Sequence, residues 1–149
     1  MVGYRDISFS EVSIIKEVWE RNRKFHEEIS KFFKHLYTDI VFEERINGFS
    51  SFDQEHIKIT LAENTDNNRV LGYCISTFEG NKGEPQTLHV IEEARGKGIG
   101  KELMQRHMEW LKSNGCETIT ITVSYENYNT IEFYKSMGFM PNTIEMRLK

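Results

Sequence analysis

A chain of 149 residues, of which 38% are hydrophobic and 12% aromatic, can bury one sizeable core but hardly two, so we expect a single domain over residues 1–149. Its formal net charge of −4 and its pI near 5.8 argue against nucleic acid or an anionic membrane as the main partner and favour a cationic one. The sequence has no apolar run of signal-peptide length near its start and none that approaches the roughly 20 residues of a membrane span, which predicts a cytoplasmic protein. The two cysteines match no zinc pattern, and we expect no metal site.

The N-terminal third predicts one short strand followed by two helices. Residues 2–7 fit the strand, and Ser10 followed by Glu11 indicates the start of the first helix. Apolar residues then recur at helical spacing in two successive stretches, so we expect two amphipathic helices. Their apolar faces consist of Val12, Ile15, Val18 and Trp19 in the first helix and Phe25, Ile29, Phe32, Phe33 and Leu36 in the second.

The middle of the chain predicts a hairpin, a third strand and a long helix. Residues 56–61 and 70–78 fit two strands, and the polar turn at residues 63–68 joins them. A second turn at residues 80–85 leads into a strand at residues 86–91. The long helix follows, with Asn114-Gly115 after its last turn, and its apolar stripe consists of Ile99, Leu103, Met104, Trp110 and Leu111.

The last third predicts a strand, a helix and a final strand. Residues 118–123 alternate threonine with isoleucine or valine, and this period of two indicates a strand. Residues 127–137 fit a helix that ends at Gly138, and residues 139–148 fit the final strand. The order of elements is mixed rather than a regular βα repeat. The sequence therefore predicts an α+β fold with a mixed, largely antiparallel sheet flanked by helices.

A glycine-rich segment lies between the third predicted strand and the long helix, where backbone amides and the helix dipole favour an anion. The segment reads Arg95-Gly96-Lys97-Gly98-Ile99-Gly100. Gly98 and Gly100 leave no side chain between the backbone and a bound oxygen, and Arg95, Lys97 and Lys101 add positive charge. The sequence therefore predicts a phosphate site, although a tight structural turn would need the same glycines.

Two sequence blocks together resemble one enzyme family. The segment fails the Walker pattern at Arg95 and the dinucleotide pattern at Lys101, where each pattern needs glycine. It fits the pattern (Gln/Arg)-x-x-Gly-x-(Gly/Ala) through Arg95, Gly98 and Gly100, and so resembles the GNAT N-acetyltransferase superfamily. The second block reads Asn127-x-x-Thr130-x-x-Phe133-Tyr134-Lys135-x-x-Gly138-Phe139. The resemblance covers residues 86–139, with Thr130 in place of the small residue usual in the family.

The resemblance implies a GNAT-like fold whose sheet is splayed at its centre, with acetyl-CoA bound in the gap. The pantetheine arm would pair with the strand of Leu88, His89 and Val90. Gly96 to Lys101 would hold the pyrophosphate, and a backbone N–H near Val90 would polarise the acetyl carbonyl. Asn127 would hydrogen-bond the pantetheine side, but it equally suits a helix cap. The implied reaction is direct transfer of the acetyl group to a primary amine of a small molecule or peptide in a ternary complex.

Tyr134 matches the acid of the family. A phenol is mostly protonated at neutral pH and can donate a proton to the departing thiolate. The seven residues from Asn127 to Tyr134 place both side chains on one helical face. The alternative is a tyrosine of the hydrophobic core.

The general base is less obvious, because related enzymes carry Glu at the position that aligns with Gln86, and glutamine cannot accept the proton. The candidates are Glu84, on the same strand face as Gln86, and Glu79, at the end of the preceding strand, and either would act through a water. His89 is expected on the opposite face. Each glutamate also fits a solvated surface residue.

Substrate choice would fall, by the same resemblance, to the N-terminal helical region and the loop after it. Apolar and acidic side chains mix there, which suits a cationic amine with an apolar body, although the phenylalanines also fit the core and the carboxylates a solvated face. A noncatalytic acyl-CoA sensor or regulatory subunit is the alternative function, and the intact Tyr134 favours the enzyme. A homodimer is left open. The side chains in question are Phe42, Phe49, Phe52, Asp39, Glu43, Glu44 and Asp53.

Overall fold

A five-stranded mixed sheet organises the structure, a computed structural model that describes residues 1–149. The strands are hydrogen-bonded in sequence order; β1 to β4 pair antiparallel, and β5 pairs parallel with β4. This arrangement confirms the predicted mixed, largely antiparallel sheet. The strands are β1 Val2–Ile7, β2 Ile57–Asn64, β3 Arg69–Glu79, β4 Lys82–Val90 and β5 Thr118–Ile119; the helices are α1 Lys16–Ile29, α2 His35–Thr38, α3 Phe42–Asn47, α4 Ile99–Ser113 and α5 Tyr128–Ser136.

The residues group into two compact units. The first unit consists of residues 1–22 and 41–121 and contains the whole sheet, and the second consists of residues 23–40 and 122–149. The single domain over residues 1–149 stays a prediction. None of the helices combines the length and the apolar composition that crossing a membrane requires.

The pairing of β4 with β5 ends after two residues. Lys82 lies opposite Thr118 and Gly83 opposite Ile119, and the N–H of Thr120 donates to the carbonyl of Gly83 (3.1 Å). From residue 84 to residue 90, β4 pairs only with β3. Pro85 contributes to this separation because it has no N–H to offer a neighbouring strand. The sheet therefore has a free edge along most of β4, as expected for a sheet that is splayed between these two strands.

Helix α4 covers β2, β3 and β4 with the predicted apolar stripe. Ile99, Leu103, Met104 and Leu111 are buried, which confirms four of its five predicted core positions. The stripe also contains a residue that periodicity did not reveal: the imidazole of His107 is 0% exposed. A polar side chain in this core needs partners.

The N-terminal predictions are confirmed in part. The strand at residues 2–7 is β1, and Val12, Ile15, Val18 and Trp19 are buried. The helical segment begins earlier than Ser10, because the N–H of Ser8 donates to Glu11 Oε1 (3.1 Å) and a 3₁₀ turn at Phe9–Ile15 precedes α1. A side chain that bonds backward in this way fixes the first turn of a helix.

The predicted second helix is wrong in extent. Helix α1 continues to Ile29, and α2 begins only at His35, so Phe32 lies between the two helices and is 51% exposed. The backbone N–H of Phe33 donates to Ser30 Oγ (3.2 Å), and that of Lys31 donates to Glu126 Oε2 (2.6 Å). These side-chain acceptors replace the carbonyl partners of a continuing helix.

The C-terminal third confirms its helix and corrects its strands. Helix α5 has the predicted position, and Gly138 follows it with a φ of 99°. Of the strand predicted at residues 118–123 only Thr118–Ile119 forms, and residues 139–149 form no strand. A period of two indicates an extended chain, but a strand also needs a neighbour that accepts its hydrogen bonds.

Candidate active site

The predicted phosphate turn has a backbone that only glycine adopts without strain. Gly96 and Gly98 have φ values of 80° and 78°, in the left-handed region. No atom lies within 4 Å of the position that a side-chain carbon would take at either glycine. The glycines are therefore required by the backbone conformation, and the space beside them is open.

The amides of this turn form an anion cradle. None of the six N–H groups at residues 96–101 donates to a protein acceptor, and the first bond of the helix runs from the N–H of Glu102 to the carbonyl of Gly98 (3.0 Å). Free N–H groups at the start of a 15-residue helix carry the positive end of its dipole. The exposed ammonium groups of Lys97 and Lys101 form no ion pair. This arrangement fits a phosphate or diphosphate.

The free edge of β4 leads to this cradle. The N–H of Ile91 donates to the carbonyl of Leu71 (2.9 Å), so Val90 occupies a non-hydrogen-bonded position of the β3–β4 ladder. The N–H and C=O of Val90 therefore point away from β3, and those of Leu88, two residues earlier, do the same. Arg95 Nε reaches the Val90 carbonyl from this side (3.1 Å). The backbone of Leu88 and Val90 can thus pair with an extended ligand as a further strand would.

A β-bulge interrupts β4 at Gln86. Pro85 lies opposite Ser76 and Thr87 lies opposite Ile75, so Gln86 is the extra residue of the bulged strand. Its Nε2 donates to the Oγ1 of a threonine on β3 at 2.9 Å. Gln86 is therefore held against the sheet by a side-chain hydrogen bond.

The bulge corrects the predicted orientation of His89. Along a regular strand, His89 would lie on the face opposite Glu84, but the extra residue shifts the alternation by one. His89 pairs with Tyr73, and Glu84 pairs with Thr77 on the same side of the regular strand β3. The imidazole of His89, 8% exposed, therefore shares the face of Glu84.

The two candidate bases differ in their surroundings. Glu84 is half-buried on the sheet, and burial raises the pKa of its carboxyl above the ordinary value, while the Arg45 guanidinium offsets part of the rise. Glu79 is exposed and lies opposite Lys82 at the hairpin turn. A carboxylate with a raised pKa is the better proton acceptor. Partial burial and the raised pKa thus favour Glu84 over Glu79 as the candidate base.

Tyr134 and Asn127 lie in the second unit. Asn127 is buried directly before α5, and its backbone N–H donates to the carbonyl of Ser124 (3.0 Å), while its side chain forms no cap hydrogen bond. Tyr134 is 8% exposed and packs edge-on against Phe139 (ring centroids 6.0 Å apart). These contacts suit a core tyrosine as well as an acid, and both predicted roles stay predictions.

Several side chains of the expected acceptor region lie in the hydrophobic core or on the solvated surface. Phe42 and Phe49 are buried, and the exposed Glu43 pairs with Lys16 (2.6 Å), as expected if these phenylalanines belong to the core and this carboxylate to a solvated face. From this region, Arg45 of α3 lies within electrostatic range of Glu84 on β4 and lowers the pKa of its carboxyl. The sequence carried one signal for it, because residues 45 and 49 are one helical turn apart and Arg45 can lie over the Phe49 ring.

Comparison with known proteins identifies the family. The profile of the acetyltransferase (GNAT) family matches residues 19–139. The chain belongs to this family. An uncharacterized N-acetyltransferase of Bacillus subtilis, YobR, is 31% identical over 117 residues, which cover 78% of this chain and 41% of YobR. The N-alpha-acetyltransferase 30 of Schizosaccharomyces pombe is 28% identical over 79 residues, 50% of this chain and 53% of that protein. The GNAT chain thus spans about half the length of these relatives.

Solved structures share the fold of this GNAT protein. A mutant of the BH1408 protein from Bacillus halodurans superposes with a TM-score of 0.76 at 15% identity, over 99% of this chain and 98% of that one. AAC(6')-Iy, in complex with the bisubstrate analog CoA-S-monomethyl-acetylneamine, superposes with a TM-score of 0.71 at 13% identity, over 100% of this chain and 99% of that one. Glucosamine-6-phosphate N-acetyltransferase from Arabidopsis thaliana superposes with a TM-score of 0.63 at 18% identity, over 100% of this chain and 98% of that one. The GNAT fold is therefore common to all three.

Proposed function

We propose that this GNAT protein transfers an acetyl group from acetyl-CoA to a primary amine of a small molecule or peptide, by direct attack within a ternary complex. The observation that carries the proposal is the row of six amide N–H groups at residues 96–101 that no protein atom accepts. This row connects the free edge of β4 to the start of α4. A diphosphate that carries an extended, amide-containing arm matches both parts.

The chain's own groups would hold the cosubstrate mainly through the backbone. The amides of residues 96–101 bind the pyrophosphate, and Lys97 and Lys101 add screened positive charge. Leu88 and Val90 exchange backbone hydrogen bonds with the pantetheine arm, and Asn127 is its predicted side-chain ligand. When bound, acetyl-CoA supplies the activated acyl thioester.

Three groups would serve the chemistry. The Leu88 N–H polarises the thioester carbonyl, because Leu88 lies two residues nearer to Glu84 than Val90 does and its N–H points to the same free edge. Glu84 accepts a proton from the amine through a water, since its raised pKa makes it a stronger base than an exposed carboxylate. Tyr134 protonates the departing thiolate.

A panel of primary amines, assayed for release of free CoA thiol from acetyl-CoA, tests the proposal. We expect at least one amine to raise thiol release far above the rate without acceptor, and mass spectrometry should detect the acetylated amine. Calorimetric titration with CoA is the control for a competent site. A protein that binds CoA but acetylates no amine in a broad panel would instead be the noncatalytic acyl-CoA sensor. A cytoplasmic location and a homodimer stay predictions.

A further inference from the structure

A half-buried guanidinium lies beside the candidate site with none of its hydrogen-bond donors used. Arg45 stacks over the Phe49 ring with Cζ 4.5 Å from the ring centroid, and Phe49 is only 2% exposed. The five N–H donors of Arg45 reach no protein acceptor and form no ion pair. Lys58, another partly buried cation of the first unit, is paired with Asp6 at 2.6 Å. A partly buried cation ordinarily has such a partner, because burying an unpaired charge is costly.

The carboxylate of Glu84 is the natural partner, yet the two groups stay apart. The Arg45 guanidinium lies within electrostatic range of both Glu84 and the buried Tyr73, which share one face of the β3–β4 pair. No ion pair or hydrogen bond joins Arg45 to Glu84, and Glu84 has no other partner. The stacking on Phe49 holds the guanidinium in its place through a cation–π contact. An unpaired carboxylate and an unpaired guanidinium thus lie within electrostatic range of each other without forming an ion pair.

A ligand that carries both charges would satisfy both side chains. An ammonium group suits Glu84, and an oxyanion suits the planar fork of Arg45, which binds carboxylate and phosphate through two parallel hydrogen bonds. Resting on the proposed acetyl transfer, we propose that the acceptor carries a carboxylate or phosphate group near its amine, and that Arg45 binds this group and thereby directs the amine toward Glu84. Arg45 then determines which amines the protein accepts, and Glu84 determines how fast they react.

Matched acceptor pairs test this inference on the wild-type protein. Each pair keeps the amine and removes only the anion: an amino acid and its carboxamide for the carboxylate, glucosamine 6-phosphate and glucosamine for the phosphate. We expect the anionic member of one pair to have the higher kcat/KM by about 10-fold or more, the size expected for a charge-assisted hydrogen bond. Whichever pair shows the preference identifies the anion. The carboxamide has the less basic amine, so amine basicity alone would give the opposite order.

The variant Arg45→Met isolates the contribution of the guanidinium. We expect kcat/KM to fall by about 10- to 100-fold for the preferred anionic acceptor and by less than about 3-fold for its neutral counterpart, with an unchanged KM for acetyl-CoA. Arg45→Lys should restore part of the loss, since it keeps the charge without the fork. Arg5→Met, which breaks an exposed ion pair with Glu63, is the control and should change neither acceptor.

The outcomes separate this inference from the proposed function. If amines are acetylated but both members of every pair react equally in the wild-type protein, Arg45 does not bind an acceptor anion and the inference is wrong. An equal loss for anionic and neutral acceptors in a folded Arg45→Met protein would also contradict it. If no amine reacts although CoA binds, the proposed acetyl transfer fails first. The wild-type comparison decides the matter even if the variant does not fold.

Discussion

The two halves of the candidate site offer different kinds of groups to a ligand, backbone amides in one half and side chains in the other. On the side proposed to bind CoA, the groups offered to a ligand are the backbone amides of residues 96–101 and of Leu88 and Val90. On the side proposed to bind the acceptor, they are the side chains of Glu84 on β4 and Arg45 on α3. A backbone site thus follows from a short glycine motif, whereas a side-chain site depends on contacts between distant segments.

The largest effect is expected for a side chain whose role is a single proton transfer. Tyr134→Phe keeps the ring, so we expect an unchanged fold and unchanged acetyl-CoA binding with kcat lower by about 10²–10⁴-fold. Steady-state thiol release at saturating acetyl-CoA measures this loss. If the hydroxyl only satisfies the core, the change should instead cost about 1 kcal/mol in the free energy of unfolding and leave turnover near normal.

The acceptor side is tested next by comparing its two carboxylates. Glu84→Gln should lower kcat/KM at neutral pH by about 10²-fold, as expected for loss of a positioned base, while Glu79→Gln should stay within about 2-fold because Glu79 is exposed at the hairpin turn. The base must be deprotonated, and burial raises the pKa of Glu84. As the pH is lowered, wild-type activity should therefore begin to fall at a higher pH than it would if the base were an exposed glutamate. Equal activities of the two variants would remove Glu84 as the base.

The sequence predicts the backbone half of the candidate site better than the side-chain half. Gly96 and Gly98 encode the left-handed turn directly, so its place before α4 was predictable. The bulge at Gln86 was not, because it depends on the register of β4 against β3, and the side of the sheet occupied by His89 was predicted wrongly as a result. Arg45 gains its place only from the stacking on Phe49. The strand predicted at residues 139–148 does not form, because a strand needs a neighbouring strand that accepts its hydrogen bonds, and the local sequence does not determine one.

The buried imidazole of α4 offers a test in the core rather than at the site. Thr60 Oγ1 donates to Asp6 Oδ1 (2.6 Å), so His107 Nε2–H donates to Thr60 Oγ1 (2.8 Å), and His107 Nδ1 accepts from Ser76 Oγ (2.7 Å). Burial lowers the pKa of His107 to about 3, with Lys58 also lowering it and Asp6 opposing. The unfolded chain therefore binds a proton below about pH 6.5 that the folded protein excludes.

The contribution of the neutral His107 to the free energy of unfolding should consequently be fully present above about pH 6.5 and should decline as the pH falls from there toward 3. Between pH 7.5 and pH 5, we expect the free energy of unfolding to decrease by about 2 kcal/mol, as measured by urea denaturation. His107→Gln, which can still hydrogen-bond but cannot titrate, should flatten this dependence. A wild-type protein that is equally stable at both pH values would show that His107 is not held neutral by the fold.

A smaller effect is expected for the charge beside the phosphate turn. Lys97→Ala removes an exposed ammonium group that forms no ion pair, so CoA affinity should fall only a few-fold at low salt, about the size of a solvent-exposed charge interaction. The difference from wild type should shrink as salt is added. A large loss that persists at high salt would mean that the side chain, rather than the backbone, provides the main contact.

We propose that backbone amides form the CoA site, and calorimetric titration of Gly98→Val with CoA is the sharpest test of their role. Valine at a φ of 78° strains the turn by about 1–3 kcal/mol and puts a branched side chain into the open cradle. Gly115→Val is the matched control, because Gly115 has a φ of 81° with equally open space but lies after the far end of α4. We expect CoA affinity to fall by more than about 30-fold in Gly98→Val and to stay within about 2-fold in Gly115→Val. A folded Gly98→Val protein that binds CoA as tightly as wild type would show that the phosphate site lies elsewhere.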